Sequence, residues 1–374
     1  MKRFSDQFLT EFRPPSLIHY DQSWSWKPAH PKALRNFEKW IPKKPLIISK
    51  ARSKKKQTVL LIGPSRPSMG WLLEELQSRG EHVIFLDFDE WIFRGEFSLN
   101  ERALKLGFDH ESICVEGVRS IYLEVPDAVE GPVIELANPT GEELLALKRW
   151  KAVWRSLPSV FPNARFFPGP PTEIVERAQN KLQDLKLAGD LGWKTPRTLT
   201  SNNKNTVLDF CADVGGEVLV RDFNQRRIWR GKKIFTFSTE PVKLTAKMLS
   251  GLEAAPLTFQ EYVPKKFELR AVVVDDRVLV CRIDSQASVK TKVDWRNYDF
   301  PKVAMTPWTM STADQRKIVR MSKELGLRIA SFDFIVDPDD RLVFLEMNRP
   351  GSWMFLELLA GLPLRQSIAD ALTK

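Results

Sequence analysis

The chain has 374 residues and a formal net charge of +10, too long for one ordinary domain and suited to two or three lobes sharing an interior. Its hydrophobic fraction of 43% and charged fraction of 28% are those of a soluble globular protein. No apolar run reaches membrane-spanning length, and MKRFSDQFLTEF flanks its few apolar residues with charge, so no span and no secretory signal are read and a cytoplasmic location is expected.

Cys114, Cys211 and Cys281 lack CxxC spacing, which argues against a disulfide framework and a structural zinc site. His19, His30, His82 and His110 all lie in the first third, so chemistry located later works without imidazole. The positive balance points to an anionic partner: a nucleotide, an acidic peptide or nucleic acid. The basic residues are scattered and carry no recognition motif, which ranks nucleic acid last.

In chain order, the first 56 residues hold Trp24, Trp26, Trp40, several prolines and the run Lys54-Lys55-Lys56, and read as an extension ending in a solvated linker. Its tryptophans are expected to pack on their own domain; docking of a leader peptide or of a second subunit in a homodimer is the alternative. VLLI at 59–62, an amphipathic helix over 70–80 and HVIFLDF give a β-α-β opening, with a further strand near Val118–Val125 and a lobe ending near residue 137. A helix beginning at Gly141 leads through FFPGPP to a second long helix, Thr172 to Leu191, stopped by Gly192. GEVLVRDF, RRIWRG and KKIFTFS read as strands, followed by a helix from Leu244 to Leu252. LTFQEYV comes next, then FELRAVVV and RVLVCRI flanking Asp275-Asp276. A helix from Ala313 to Leu325 and a hairpin of ASFDFIV and RLVFLEMN complete the chain.

Chemistry concentrates in that last hairpin. Glu346 and Asn348 share a face by strand alternation, and if Val336 pairs with Arg341, Asp333 falls opposite Phe344 and points the same way. Ordinary charges on a half-exposed sheet are the bland alternative. The neighbours are almost all large hydrophobes, however, among which uncompensated carboxylates are costly, so a bound cation is the better explanation. Three hard oxygen ligands suit Mg²⁺ shared with a nucleotide. The extended segment Gln260-Glu261-Tyr262-Val263 offers backbone groups to an adenine edge and Glu268 a carboxylate to ribose. Lys181 and Arg221 are candidate phosphate partners.

Together NKLQDLKLAGDLGWKTPRTLTSN, VLVRDF, FQEYVPKKFELRAVVVDDRVLVCRIDSQ, DWR and SFDFIVDPDDRLVFLEMNRPGSWMFLE resemble the ATP-grasp maturases of graspetides, the microviridin-type peptides, over residues 57–374. The resemblance implies an α/β and α+β architecture: an ATP-grasp fold with an N-terminal pre-ATP-grasp α/β domain. Residues 1–56 would be the extension and linker, 57–137 the pre-ATP-grasp domain, 138–255 the connecting helices and central lobe, and 256–374 the C-terminal lobe with the metal site.

It further implies ATP and Mg²⁺ as cofactors. Lys181 and Arg221 would meet the phosphates, Glu261 and Val263 the adenine, Glu268 the ribose, and Asp333, Glu346 and Asn348 the metal. Arg270 and Arg282 would stabilise charge on the reacting acyl group. Asp284, Ser285, Gln286, Asp294, Trp295 and Arg296 would lie near the peptide. Three features differ from the usual pattern: Arg221 stands where a lysine is common, the loop DFNQRRIWRG has one glycine, and Arg349-Pro350-Gly351-Ser352-Trp353 follows the metal ligands.

The implied activity is an acyl-phosphate ligase joining Asp or Glu side chains of an acidic precursor peptide to a hydroxyl or amine. A ligase for a small metabolite or protein terminus is the second reading, and a non-catalytic ATP-binding partner protein the third. For Arg270 and Arg282 to face one way, the turn at Asp275-Asp276 must have three residues, or a bulge.

Overall fold

The computed structural model describes residues 9–11, 37–49, 57–87, 94–124, 141–171, 180–221, 228–230, 233–237, 240–297, 299–349 and 352–374. Among them no helix is long and apolar enough to cross a membrane.

A short strand, β1 (Leu9–Glu11), precedes a 3-10 turn at Phe37–Trp40 and strand β2 (Leu46–Ser49). The α/β pattern then opens with β3 (Thr58–Gly63), α1 (Pro67–Ser78) and β4 (Val83–Asp87). Every residue of β3 and β4 is buried, as parallel strands covered on both faces require, and the two pair in parallel. Helix α1 starts at Pro67, ahead of the expected Gly70, because the fixed φ of proline suits a first turn.

A meander absent from the sequence reading follows: β5 (Glu96–Leu99), β6 (Leu104–Phe108) and β7 (Glu111–Val115). After β8 (Val118–Leu123), helix α2 (Gly141–Val160) returns the chain to β9 (Arg165–Phe167), completing the sheet β2-β4-β3-β8-β9. The sheet therefore draws β2 from the extension and β9 from beyond residue 137. Trp40 packs on its own domain, its ring centroid 5.1 Å from that of Trp71. A Cβ at Gly70 would lie 1.4 Å from the Trp40 carbonyl oxygen, so only glycine lets α1 come this close. Trp24 and Trp26 lie outside the described residues.

The helix expected over Thr172–Leu191 is described from Lys181 onward as α3 (Lys181–Asp190). Asn180 starts it: its ψ of 72° is not helical, and its side chain accepts from the Gln183 amide, an N-cap. The central lobe then runs through β10 (Thr198–Ser201), α4 (Lys204–Asp213), β11 (Glu217–Arg221), β12 (Ile228–Arg230), β13 (Lys233–Phe237), β14 (Val242–Lys243) and β15 (Leu257–Glu261). Its main sheet has the order β10-β15-β11-β14, and β13 pairs with β1 and β12 in a separate one. The helix expected over Leu244–Leu252 does not form. Only turns and a 3-10 stretch at Leu252–Ala254 are present, with Gly251 at φ 89° between them.

The C-terminal lobe is built on two hairpins, β16 (Phe267–Val274) with β17 (Arg277–Ile283) and, after β18 (Met305–Trp308) and α5 (Thr312–Glu324), β19 (Ile329–Val336) with β20 (Leu342–Asn348). The sheet order is β18-β17-β16-β19-β20, and α6 (Met354–Ala360) and α7 (Leu364–Thr373) end the chain. One face packs Phe267, Leu269, Phe332, Phe334 and Phe344 with α3 and α5. The other shares a core with the first lobe, joining Val272 and Ile283 to Trp71, Phe85, Tyr122 and Leu372.

Both hairpins depart from the expected register. Val336 pairs with Leu342, not with Arg341, and a bulge between Asp333 and Phe334 then sets Asp333 opposite Glu346, not Phe344. The extra residue of the bulge restores the alternation that the shifted turn would have inverted. In the first hairpin Val274 pairs with Arg277 across a two-residue turn, so Arg270 stands opposite Cys281 and Arg282 opposite Leu269. The expected three-residue turn or bulge is not formed there, and the two arginines lie on opposite faces. Asp275 accepts the left-handed φ of 53° that the tight turn needs, and Arg165 and Arg328 hold its carboxylate at 2.6 and 3.0 Å.

Candidate active site

Strands β16, β19 and β20 bring four of the singled-out side chains together. Arg270 lies directly across from Asp333, and its Nη1 donates to both carboxylate oxygens at 2.7 Å. Lys181, the first residue of α3, places Nζ 2.6 Å from Glu346 Oε2. Asn348 Nδ2 donates to Asp333 Oδ2 at 3.1 Å and to Glu346 Oε1 at 3.3 Å, closing the group. The carboxylates are therefore not uncompensated, as the sequence suggests: Arg270 and Lys181 supply the opposing charge. Burial pushes the Asp333 carboxyl above its ordinary range, Arg270 pulls against this, and Glu346 adds to it.

Arg282 does not join them. Its guanidinium sits 4.0 Å from the centroid of the Phe267 ring on the other face and donates to Asp284 at 2.7 Å. This takes Asp284 out of the group with it. Ser285 is fully buried, and Trp295 is buried and stacked on Phe355 at 5.3 Å, so both are internal supports. Gln286 spans its own loop, donating to the Lys292 carbonyl. Asp294 and Arg296, joined at 2.8 and 2.9 Å, do face the group. Although burial opposes it, Asp294 raises Arg296 above its ordinary value, and Glu346 and Asp333 add to this. Asp294 itself is lowered against its burial by Arg296, with Arg221 contributing from the end of β11.

On the candidate nucleotide side, Gln260 is buried in the central sheet and bonded to Thr198 at 3.1 Å. The Glu261 amide donates to the Arg197 carbonyl and its carboxylate accepts from the Arg197 amide, which engages that amide internally. Tyr262 is partly buried, and burial raises its hydroxyl pKa. Val263 packs on Ile335 and Val343, fastening the connection between the two lobes. Glu268, on the Arg270 face of β16, is buried and salt-bridged to Lys265 at 2.6 Å; burial raises it and Lys265 opposes the rise. Lys265 was not singled out from the sequence, although it stands one short turn before Glu268. Residues 222–227 and 231 of the glycine-poor loop lie outside the described residues.

A second ion pair also escaped the sequence reading. Arg349, just beyond β20, donates to Asp184 of α3 at 2.9 Å, with both side chains almost wholly buried. Desolvation pushes Asp184 up to about 6 against the attraction of Arg349 and Lys181. The partners are 165 residues apart, so no spacing rule connects them.

The donor chemistry fits Mg²⁺. Among the described residues no three His, Cys, Asp or Glu side chains gather into a metal-binding group; the set here is two carboxylates and one amide, oxygen donors of the kind Mg²⁺ takes. Asn348 turns its nitrogen to both carboxylates, and a half-turn of the amide presents its oxygen to the same point.

No family model matches the chain. Over 206 residues it is 27% identical to a probable alpha-L-glutamate ligase of Stenotrophomonas maltophilia, covering 54% of this chain and 68% of that protein. Among solved structures, it is similar to the RiPP-associated ATP-grasp ligase of Chryseobacterium gregarium in complex with ADP and a leader and core peptide. The TM-score is 0.69 at 22% identity, over 84% of this chain and 96% of that one. The macrocyclase MdnB of Microcystis aeruginosa matches with a TM-score of 0.60 at 26% identity, over 84% and 99%. The fold is thus the ATP-grasp fold, and the resemblance carried by the sequence motifs is met in three dimensions.

Proposed function

We propose that this ATP-grasp enzyme is an ATP- and Mg²⁺-dependent ligase that joins side-chain carboxylates of a ribosomally made, acidic precursor peptide to a hydroxyl or amine, giving ester or amide crosslinks. The observation that carries the reading is the gathering of Asp333, Glu346 and Asn348 with Lys181 and Arg270 on one sheet face. The peptide-bound Chryseobacterium ligase and the MdnB macrocyclase, both of this fold, support the substrate class.

ATP is the phosphoryl donor. Lys181 and Arg221 would neutralise its phosphates, the segment from Gln260 to Val263 would hold the base and Glu268 the ribose. Asp333, Glu346 and Asn348 would hold Mg²⁺, which when bound supplies charge neutralisation at the phosphoryl oxygens. Transfer of the γ-phosphoryl group to a peptide carboxylate makes its carbonyl carbon electrophilic; attack by the hydroxyl or amine then expels phosphate. Arg270 faces the charge that develops at the acyl oxygen, and Arg296, held by Asp294, adds positive field from the peptide side. No step needs imidazole.

The test is incubation with MgATP and a panel of Asp/Glu-rich peptides, following ADP release and peptide mass. One ADP and the loss of one water per bond are expected; peptides of unchanged mass across the panel overturn the reading. The 27% identity to a probable glutamate ligase favours a second reading, ligation of a small amino acid to an acceptor. Under it, free glutamate and not peptide stimulates ADP release.

A further inference from the structure

Helix α3 is tied to β20 twice, with opposite polarity. Lys181 on the helix meets Glu346 on the strand at 2.6 Å, and one turn later Asp184 on the helix meets Arg349 beyond the strand end at 2.9 Å. The two ties differ in exposure: the side chains of the first are 23% and 17% exposed, those of the second 4% for Asp184 and 1% for Arg349. Solvent reaches the first and scarcely the second.

This asymmetry matters under the reading of Lys181 as a phosphate partner, on which the inference rests. To reach a phosphate Lys181 must give up Glu346, and α3 loses that tie when the nucleotide enters. At its start the helix is capped by the Asn180 side chain, and its buried residues are Asp184, Leu185 and Ala188. Apolar contacts at Leu185 and Ala188 hold the helix down but are tolerant of sliding. A charge-assisted bond between two buried groups is directional and fixes register. Arg349 is also the residue after Asn348, so the same bond fixes the strand end that carries Asn348 and Glu346.

We propose that Asp184 and Arg349 are positioning residues: their buried ion pair keeps Lys181 aimed at the nucleotide phosphates, and the end of β20 in place, once Lys181 has released Glu346. They touch neither nucleotide nor peptide. The pair acts through α3, and its loss is felt in nucleotide affinity before turnover.

The experiment uses the full chain with Asp184→Asn, Arg349→Lys and the apolar pair Asp184→Leu/Arg349→Met. It reads melting temperature, KM for ATP against kcat, and the acylation rate of Lys181 by peptide mass after a lysine-selective reagent. Asp184→Asn is expected to raise KM for ATP about tenfold with kcat changed less than about threefold, and to speed Lys181 acylation in the absence of nucleotide. Arg349→Lys falls between, since one ammonium replaces a planar fork. The apolar pair avoids an unpaired buried charge, so it folds even where Asp184→Asn does not, and it keeps the raised KM and faster acylation. Variants that melt lower yet keep wild-type KM and Lys181 acylation overturn the proposal, as does an apolar pair that behaves as wild type. The acylation readout needs no turnover: a wild-type chain that shows no MgATP-dependent protection of Lys181 strikes at the functional reading, whereas the nucleotide-free rates judge the ion pair.

Discussion

Arg270 and Arg282 are chemically identical and twelve residues apart on one hairpin, and the turn between them decides which can act. Arg270 bonds Asp333 within the candidate site, while Arg282 lies over Phe267, with Trp308 at 5.6 Å, and bonds Asp284. Lysine keeps the charge at either position and loses the planar fork. Arg270→Lys is therefore expected to lower ADP formation by about a hundredfold, and Arg282→Lys by less than about threefold. A coupled ADP assay distinguishes them; equal losses would return Arg282 to the chemistry. At this scale the shared face of Glu346 and Asn348 was legible, because strand alternation needs only local sequence, whereas Asp333 joins them through a bulge that alternation does not contain. Lys181 and Arg270 were legible as site residues through the family resemblance, but their pairing with these carboxylates was not: Lys181 is 165 residues from Glu346, and nothing in either neighbourhood specifies the other.

Among the elements, those with strong local signals were legible and those set by tertiary pairing were not. The all-buried β3, the amphipathic α1 and both C-terminal hairpins follow from hydrophobic pattern. The β5-β6-β7 meander, only partly buried, and β2, recruited from the extension by pairing with β4, left weaker traces. The bulge at Asp333 is the instructive miss, since the expected register was wrong by one residue and the expected convergence still held. That register depends on the Asp337 turn. Asp337 is buried and accepts from the amides of Asp339 and Arg341 and from Arg341 Nε, at 3.0, 2.9 and 2.8 Å. Burial opposes its ionisation, but the Arg341 amide and guanidinium outweigh it and lower the carboxyl from 3.8 to about 2. A depressed carboxyl pKa gives stability that is complete above the unfolded value and lost as pH falls through the folded one. Acid should therefore weaken the folded protein between about pH 4 and pH 2 in part through this residue. Asp337→Asn is expected to lower stability at neutral pH and to flatten the acid limb of a denaturant-midpoint profile over that window. An unchanged slope would show that the turn is held by other means.

At the scale of the molecule, the first and last lobes share a core to which α7 contributes from the C-terminal side. Ser120 Oγ donates to the Leu372 carbonyl at 2.7 Å, Arg165 to the Ala371 carbonyl at 2.6 Å and Arg119 to the Thr373 carbonyl at 3.1 Å, so the first lobe caps the last turn of the helix. From the same helix Leu364, Ile368 and Leu372 are fully buried in the core that also holds Trp71, Phe85, Val272 and Ile283. Apart from β9, the first sheet is complete in sequence by Leu123, yet it packs against residues at the other end of the chain. Leu372→Ala leaves a cavity there and should cost about 2–5 kcal/mol. The loss should spread to both lobes: amide hydrogen exchange is expected to rise in β3 and β8 as well as in β16, with one melting transition at lower temperature. Exchange that rises in α7 and β16 while β3 and β8 stay protected would mean that the lobes fold as separate units. The candidate site would then be held together by α3 and the hairpins of the C-terminal lobe alone.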